Sequence, residues 1–390
     1  MPKAGAPFSK SGAPNFVDSD VMGVSRSAVI PIASNSLARG GCSCKGAVVL
    51  GFIGFVVFGT GAGDTSAQSA FGDTALLAQC WRPQELAARA SEERQVRGDH
   101  RFDAPPPTQA LATYVPVPAH LRGSIRRVKL PVGKKLVALT FDFCESPGQI
   151  SGYDGAIIDL LRAQGVPATL FVGGKWMRSH AERTAQLMAD PLFELANHAE
   201  AHRNLRKLSG AALVREIEGP QSAYEAAREG LAQRACVAAM PDTMPAIPSR
   251  MTLFRFPYGA CNSAALDAIH DRGLLAIQWD VSSGDSTPSV SASAMARSLT
   301  ARIRPGSIVL AHANGRGVHT AAAMRILIPK LRELGYQFVT VSELLAQGTP
   351  EISATCYDSR PGDTDHYDGP AVLKAPARPT PATSKIEDAP

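Results

Sequence analysis

Five residues that could take part in acid–base or metal chemistry each stand at or near the end of a short apolar run: Asp142, His198, His202, Arg255 and His312. A carboxylate can act as a general base, and an imidazole can give or take a proton near neutral pH. The two histidines are four residues apart, a spacing that puts both rings on one face of a helical turn and suits a metal ion. The alternative for this pair is two surface histidines without a ligand. These residue types indicate acid–base chemistry beside a metal ion.

Short apolar runs alternate with amphipathic stretches along the part of the chain that carries these residues. The pattern predicts strands at 136–141, 168–172, 193–196, 253–256, 274–279, 307–311 and 337–341. It predicts helices at 155–164, 181–188, 210–231, 263–272, 291–303 and 320–334. Such alternation favours a parallel sheet, either open or closed as a barrel. The chemical residues fall at the ends of predicted strands, where a (β/α) barrel places its active site.

Four short signatures follow one another in order, and their order is more informative than any one of them. They read Thr140-Phe141-Asp142, His198-Ala199-Glu200-Ala201-His202, Arg255-Phe256-Pro257-Tyr258 and Leu310-Ala311-His312. This set resembles the polysaccharide deacetylases, the NodB-homology group known as carbohydrate esterase family 4. The resemblance covers residues 132–347. It implies an α/β fold, a distorted (β/α) barrel with about seven strands, and an N-deacetylase acting on an acetylated amino sugar.

The resemblance implies a role for each residue that matches a family motif. Asp142 matches the catalytic base, and Arg255 matches the arginine that holds this base ionised and oriented. The backbone N–H of Tyr258 would donate to the oxyanion that forms when water attacks the amide. His312 would be the general acid that protonates the leaving amine. Leu310 would line the pocket for the acetyl methyl group.

A further signature is partial. The family ends this motif with Asp-Trp, in which the Asp orients the acid histidine and the Trp lines the sugar groove. Asp285 matches the Asp, but Ser286 occupies the Trp position. Trp279 could replace the missing wall as a substrate-binding residue, or it could be a core aromatic.

The resemblance also implies a divalent metal, usually zinc, bound by His198 and His202. The family's second Asp supplies the third ligand, but this chain has Phe143 there, which cannot bind a metal. Glu145 is the favoured replacement. The sulfur of Cys144, the carboxylate of the catalytic base and a water molecule are alternatives, so metal affinity, identity and dependence stay open.

Composition sets the class of protein. The chain has 390 residues, of which 45% are hydrophobic, with a net charge of +5. This is ordinary for a globular protein of one large domain plus extensions. No run of Lys and Arg forms a basic patch, so the sequence gives no indication of nucleic-acid binding.

The N-terminal part contains an apolar run at 46–62, preceded by Arg39 and Lys45 and followed by small residues up to Ala70. This pattern predicts a secretory signal peptide or, alternatively, a membrane anchor. We therefore expect export to the periplasm or cell envelope. The predicted division is a polar lead plus signal or anchor at 1–70, an N-terminal extension at 71–131, the deacetylase domain at 132–347 and a largely disordered C-terminal tail at 348–390.

Five cysteines remain if the signal is removed: Cys80, Cys144, Cys236, Cys261 and Cys356. An exported protein can hold disulfides, and an odd number leaves at least one thiol over. The first and last of these cysteines could join the ends of the domain. A bridge between Cys144 and Cys261, which follow two of the motifs, is weighed equally against two buried thiols.

The sequence thus predicts an exported, metal-assisted hydrolase that removes acetyl groups from the amino sugars of a polysaccharide or peptidoglycan. One alternative is a non-catalytic carbohydrate-binding relative, because the second Asp of the signature is missing. Another is a hydrolase of the same fold that acts on a small amide or ester. An open groove would favour a polymer, and a closed pocket would favour a small molecule.

Overall fold

The computed structural model describes residues 75–105, 114–239 and 241–369. The predicted signal or anchor at 46–62 lies outside these residues. Within the described ranges, no helix is long and apolar enough to cross a membrane.

Twelve strands are present in the described part of the chain: β1 Val96–Arg97, β2 Ser124–Lys129, β3 Leu136–Phe143, β4 Gln149–Ile150, β5 Ala168–Val172, β6 Phe193–Asn197, β7 Leu253–Phe254, β8 Leu275–Ile277, β9 Val281–Ser282, β10 Ile308–His312, β11 Gln337–Phe338 and β12 Thr349–Ser353.

Eleven α-helices accompany these strands in the same ranges: α1 Ala75–Cys80, α2 Pro83–Leu86, α3 Gly155–Gln164, α4 Gly174–Ser179, α5 Ala181–Met188, α6 Gly210–Ala232, α7 Ala235–Ala238, α8 Ser263–His270, α9 Ala292–Arg302, α10 Thr320–Glu333 and α11 Val341–Leu345. The predicted bounds of α3 and α5 agree with the structure. Asn262 caps α8, since its side chain accepts a hydrogen bond from the N–H of Ala265.

The main sheet has the order β12-β2-β8-β7-β6-β5-β3-β10-β9, with β11 beside β3. Every neighbouring pair from β2 to β10 is parallel. The two ends of this run meet, because Arg127 of β2 forms a bridge with Ser307 and the N–H of Val128 donates to the carbonyl of Gly306 at 3.0 Å. Seven described parallel strands therefore curl into the predicted distorted barrel.

The central strands are buried along their whole length. All eight residues of β3 and all five of β5 are buried. Parallel strands covered by helices on their outer face read as continuous apolar runs, which explains why the sequence pattern identified them. Their carboxyl ends share one edge of the barrel.

The folded domain is longer on both sides than the predicted 132–347. Strand β2 pairs with β8, and β12 pairs antiparallel with β2. The sequence pattern did not predict β2, because Arg126 and Arg127 interrupt its apolar run, although Arg126 is only 7% exposed. Residues 349–369 belong to the fold, so the tail predicted from 348 was placed too early, and residues 370–390 lie outside the described ranges.

Both disulfide pairings considered from the sequence are wrong. The structure pairs Cys80 with Cys236 and Cys261 with Cys356, while Cys144 is a buried free thiol. The first bridge joins α1 to α7, and the second joins the loop after the Arg255 motif to the segment after β12. Pairing depends on which loops meet in space, which cysteine spacing alone does not reveal.

Candidate active site

The sheet register brings the predicted base and acid together. His312, the last residue of β10, lies opposite Asp142 of β3, and Phe254 of β7 lies opposite Asn197 of β6. The motif residues that follow β6 and β7 therefore reach the same edge. The sequence prediction that these motifs share one site is consistent with this geometry.

Asp142 is held by a fully buried arginine. The guanidinium of Arg255 donates to Asp142 Oδ1 at 2.7 Å and also to the carbonyls of Ile277 and Gln278, each at 3.3 Å. It lies 3.8 Å from the centre of the Phe171 ring. A buried carboxylate needs such a fixed partner to stay ionised. Asp142 is thus fixed in direction and compensated in charge.

His312 has an equally specific partner. Its Nδ1 is 2.8 Å from Asp285 Oδ1, and its backbone N–H donates to Asp285 Oδ2 at 2.7 Å. The hydroxyl of Thr320 donates to the same carboxylate at 2.9 Å. Burial by itself lowers the pKa of His312, but the charge and hydrogen bond of Asp285 outweigh it, so the net pKa is raised. Burial likewise acts to raise the pKa of Asp285, but the charge of His312 together with the hydrogen bonds from His312 and Thr320 outweighs burial, so this pKa is lowered.

The two histidines lie on a loop, so the helical turn expected from their spacing is not what brings them together. Ala199 and His202 both have left-handed φ values of 62° and 52°. The side chain of Asn197 accepts a hydrogen bond from the N–H of Ala199 at 3.0 Å. The carboxylate of Glu216, from α6, accepts one from the N–H of Ala201 at 3.0 Å. Side chains take these N–H groups, and a helix cannot form.

A compact set of three donor groups lies beside Asp142. One donor atom from each of Cys144, His198 and His202 lies within 4.8 Å of the others, and all three residues are buried. His198 Nδ1 is 2.9 Å from the carbonyl of Arg255, which leaves Nε2 on the side of Asp142, 3.4 Å from its Oδ2. Among the described residues, neither His198 Nε2 nor His202 Nδ1 has a hydrogen-bond partner. Such unpartnered buried nitrogens fit a metal site, as does the outer hydrogen bond of His198.

Burial controls the protonation of this set. It lowers the pKa of His198, against the opposing charge of Asp142, and it lowers the pKa of His202 still further. Both rings are therefore neutral near pH 7 and keep a lone pair. Burial raises the pKa of the Cys144 thiol to about 11. The amide of Asn314 donates to Cys144 Sγ at 3.1 Å.

The structure does not bring Glu145 to the histidines, so the favoured third ligand is wrong. Glu145 Oε2 accepts hydrogen bonds from the N–H of Ser151 and the hydroxyl of Ser179, both at 2.9 Å, and Lys175 Nζ is 3.8 Å from Oε1. The reason is the alternation of side chains along an extended strand. Positions 142 and 144 face the site, whereas 143 and 145 face away. Accordingly, the ring of Phe143 packs 4.8 Å from that of Trp176.

The remaining predicted residues line one cavity of about 390 Å³. Leu310, Trp279, Tyr258 and Asp285 all contribute to its wall together with Asp142 and His312. Tyr258 sits in a short 3-10 turn with a left-handed φ of 62°. A bulky residue rarely adopts this conformation, which is typical of functional sites.

Sequence reasoning missed three contributors to the site, two of which line the cavity. Asn314 and Arg316 follow His312 on the next loop, and Arg316 lines the cavity near Cys144. The sequence feature that could have indicated these two residues was their closeness to the last motif, which ends at His312. The third contributor is the segment 356–368, which supplies Asp358, Asp363, Thr364, His366 and Tyr367 to the wall. Its one sequence signal was Cys356.

Known proteins resemble this chain in sequence. The family profile described as "Polysaccharide deacetylase" matches residues 129–241. A chitooligosaccharide deacetylase of Bradyrhizobium sp. (strain ANU 289) is 30% identical over 226 residues, covering 54% of this chain and 91% of that protein. A peptidoglycan-N-acetylglucosamine deacetylase of Bacillus cereus is 27% identical over 222 residues, covering 56% and 91%.

A solved structure also resembles the chain. It is a mutant, with restored enzymatic activity, of a CE4 family pseudoenzyme from Bacillus anthracis. The identity is 24%, the TM-score is 0.48, and the match covers 58% of this chain and 73% of that one.

Proposed function

Since this chain belongs to the polysaccharide deacetylase family, we propose that it hydrolyses the N-acetyl group of an amino sugar in a polysaccharide or peptidoglycan and releases acetate. The observation that carries this proposal is the pairing of Asp142 with Arg255 directly across from the pairing of His312 with Asp285. Each pair orients a group that acid–base catalysis requires, which favours an enzyme over the non-catalytic alternative.

The donor set beside Asp142 supports a metal-assisted reaction. His198, His202 and Cys144 would hold a divalent ion, with a position left for water or substrate. Two nitrogens and one sulfur suit zinc better than magnesium or calcium, which prefer oxygen ligands. A bound ion of this kind supplies polarisation of a carbonyl oxygen and acidification of a coordinated water.

Asp142 acts as the general base. Its carboxylate takes a proton from the attacking water while Arg255 keeps it oriented. The water oxygen then bonds to the acetyl carbon, and negative charge develops on the carbonyl oxygen. The N–H of Tyr258 is our candidate donor to that oxygen.

His312 acts as the general acid. Its Nδ1 is engaged by Asp285, so the other ring nitrogen carries the proton toward the substrate. When the C–N bond breaks, this proton passes to the leaving nitrogen, and the products are acetate and the free amine of the sugar. Leu310, 7% exposed and on the cavity wall, would contact the acetyl methyl group.

We place the protein outside the cytoplasm, in the periplasm or cell envelope. Two disulfides among the described residues support an oxidising compartment. The signal or anchor predicted at 46–62 would direct the chain there.

Acetate release tests the function. The purified protein, loaded with zinc, is incubated with N-acetylglucosamine oligomers and with peptidoglycan, and both acetate and new amine are quantified. We expect the two products in equal amounts. A chelated sample is the matched control. Oligomer binding without acetate from any substrate would favour the non-catalytic alternative.

A further inference from the structure

One wall of the catalytic cavity comes from a segment far along the chain. Residues 356–368 lie outside the matched family region of 129–241, and five of their side chains line the same cavity as the motif residues. The cavity is therefore not formed by the barrel alone.

This segment, called here the C-terminal wall (residues 356–368), is firmly attached. The Cys261–Cys356 disulfide joins it to the loop of the Arg255 motif. The guanidinium of Arg126 donates to the carbonyls of Tyr357 and Asp358 at 2.6 and 2.7 Å. A second guanidinium, that of Arg206, pairs with carboxylates at positions 365 and 368. The wall is thus held at both ends, as a binding surface requires.

The wall presents an aromatic ring beside the site. The Tyr367 ring centre lies 4.8 Å from that of Tyr258, which in turn lies 4.5 Å from that of His202. Tyr367 is nevertheless 44% exposed. The ring of His366, which also lines the cavity, lies 3.9 Å from that of Tyr367, so the exposed part of Tyr367 extends an aromatic surface to which both side chains contribute.

A second depression adjoins this pair of tyrosines. It has a volume of about 420 Å³ and shares His202, Tyr258 and Tyr367 with the catalytic cavity. Both volumes fall within the range of roughly 300–1,000 Å³ that small-molecule pockets occupy. The two tyrosines form the ridge between two neighbouring spaces.

We propose that Tyr367 is a specificity-determining residue, which with Tyr258 forms a platform that carries a saccharide chain from the catalytic cavity into the second depression. The apolar C–H face of a pyranose packs well on an aromatic ring, and a chain crossing the ridge contacts both spaces. The enzyme therefore selects oligomers over a single amino sugar. This inference rests on the proposed function for the identity of the ligand.

The Tyr367 ring can be removed without releasing the wall. The backbone carbonyl of Tyr367 accepts a hydrogen bond from the Asn204 side chain at 3.2 Å, and Arg206 holds the adjacent turn. Neither contact uses the phenol ring. A substitution at 367 thus tests the platform separately from the fold of the segment.

Binding is measured by calorimetry in the Asp142→Asn background, where turnover is blocked, with N-acetylglucosamine and its tetramer as probes. We expect Tyr367→Ala to weaken tetramer binding about tenfold and to leave monomer binding within about twofold. Tyr367→Phe retains the ring and should bind both probes as the parent does.

Equal losses for monomer and tetramer, or no loss for the tetramer, would overturn the platform. So would parent protein that binds both probes equally well. Acetate release by the wild-type protein is recorded separately, so length-dependent binding without acetate refutes the proposed function and leaves the platform standing.

Discussion

His312 lies directly opposite Asp142 in the register between β10 and β3. Both residues therefore take their positions from the backbone hydrogen bonds of the sheet rather than from a flexible loop. Each also has a buried partner of opposite charge, Arg255 for the proposed base and Asp285 for the proposed acid. Substitutions that keep side-chain shape should separate chemistry from folding here.

Replacing Asp142 by Asn should lower acetate release by about 10²–10⁴-fold, because the amide cannot take a proton from water. The amide oxygen can still accept from Arg255, so the protein should fold. The lost charge leaves Arg255 less compensated, and the unfolding temperature should fall. Acetate assays and thermal unfolding measure the two effects. Wild-type acetate release by this variant would remove Asp142 from the mechanism.

Cys144→Ser should weaken zinc binding by more than the roughly 10–100-fold typical of losing an outer-shell partner. The sulfur lies with the two histidine nitrogens, and a serine hydroxyl is a poorer ligand. His198→Ala should be at least as harmful. Zinc titration of the metal-free variants measures the affinities.

Glu145→Gln is the matched control for the metal site. Its carboxylate faces Ser151 and Ser179, and the amide oxygen can keep those bonds. We expect near-parent zinc affinity for this variant. A loss equal to that of Cys144→Ser would show that Glu145 reaches the metal after all.

The rate should depend on pH through His312, whose net pKa is raised because Asp285 outweighs the effect of burial. A general acid must be protonated, so kcat/KM should fall as the pH rises through this raised pKa. Asp285→Asn removes the stabilising charge and should move the alkaline limb to lower pH. A pH profile of both proteins decides it, and an unmoved limb would contradict the role of Asp285.

The same pair links pH to stability. His312, with a raised folded pKa, contributes stability that is present below its unfolded pKa and lost as the pH rises through the folded pKa. Asp285, with a lowered pKa, contributes stability above its unfolded value and loses it as the pH falls. In Asp285→Asn, the unfolding temperature should therefore change less with pH, both at the high pH where His312 loses its proton and at the low pH where Asp285 gains one.

Strand–helix alternation and the strand ends were enough to predict a parallel sheet and to bring Asp142, Arg255 and His312 to one edge, because parallel strands share their carboxyl ends. The closure of this sheet as a distorted barrel was implied by the family resemblance. The choice of Glu145 failed, although strand alternation already placed position 144 on the side of 142. The helical interpretation of the histidine pair failed because side chains of Asn197 and Glu216 take the loop N–H groups. Local pattern does not include such tertiary partners.

The C-terminal wall could not be predicted, since its place depends on a cysteine pairing that spans 95 residues. Removal of this disulfide gives the last prediction. The double variant Cys261→Ser/Cys356→Ser should lose about 2–4 kcal/mol of stability, as expected for a lost disulfide. It should also raise KM for oligomers, because Tyr367 loses its fixed place beside Tyr258.

The matched control is Cys80→Ser/Cys236→Ser, which removes a disulfide between α1 and α7, away from the residues that line the cavity. It should lose a similar amount of stability and keep the oligomer KM. Chemical unfolding and initial rates on the N-acetylglucosamine tetramer compare the two variants. A KM increase of equal size in both would mean that general loosening of the fold, and not the wall, sets oligomer binding. The wall is implicated when only the Cys261→Ser/Cys356→Ser variant loses preference for the tetramer over the monomer at a temperature where both variants are folded.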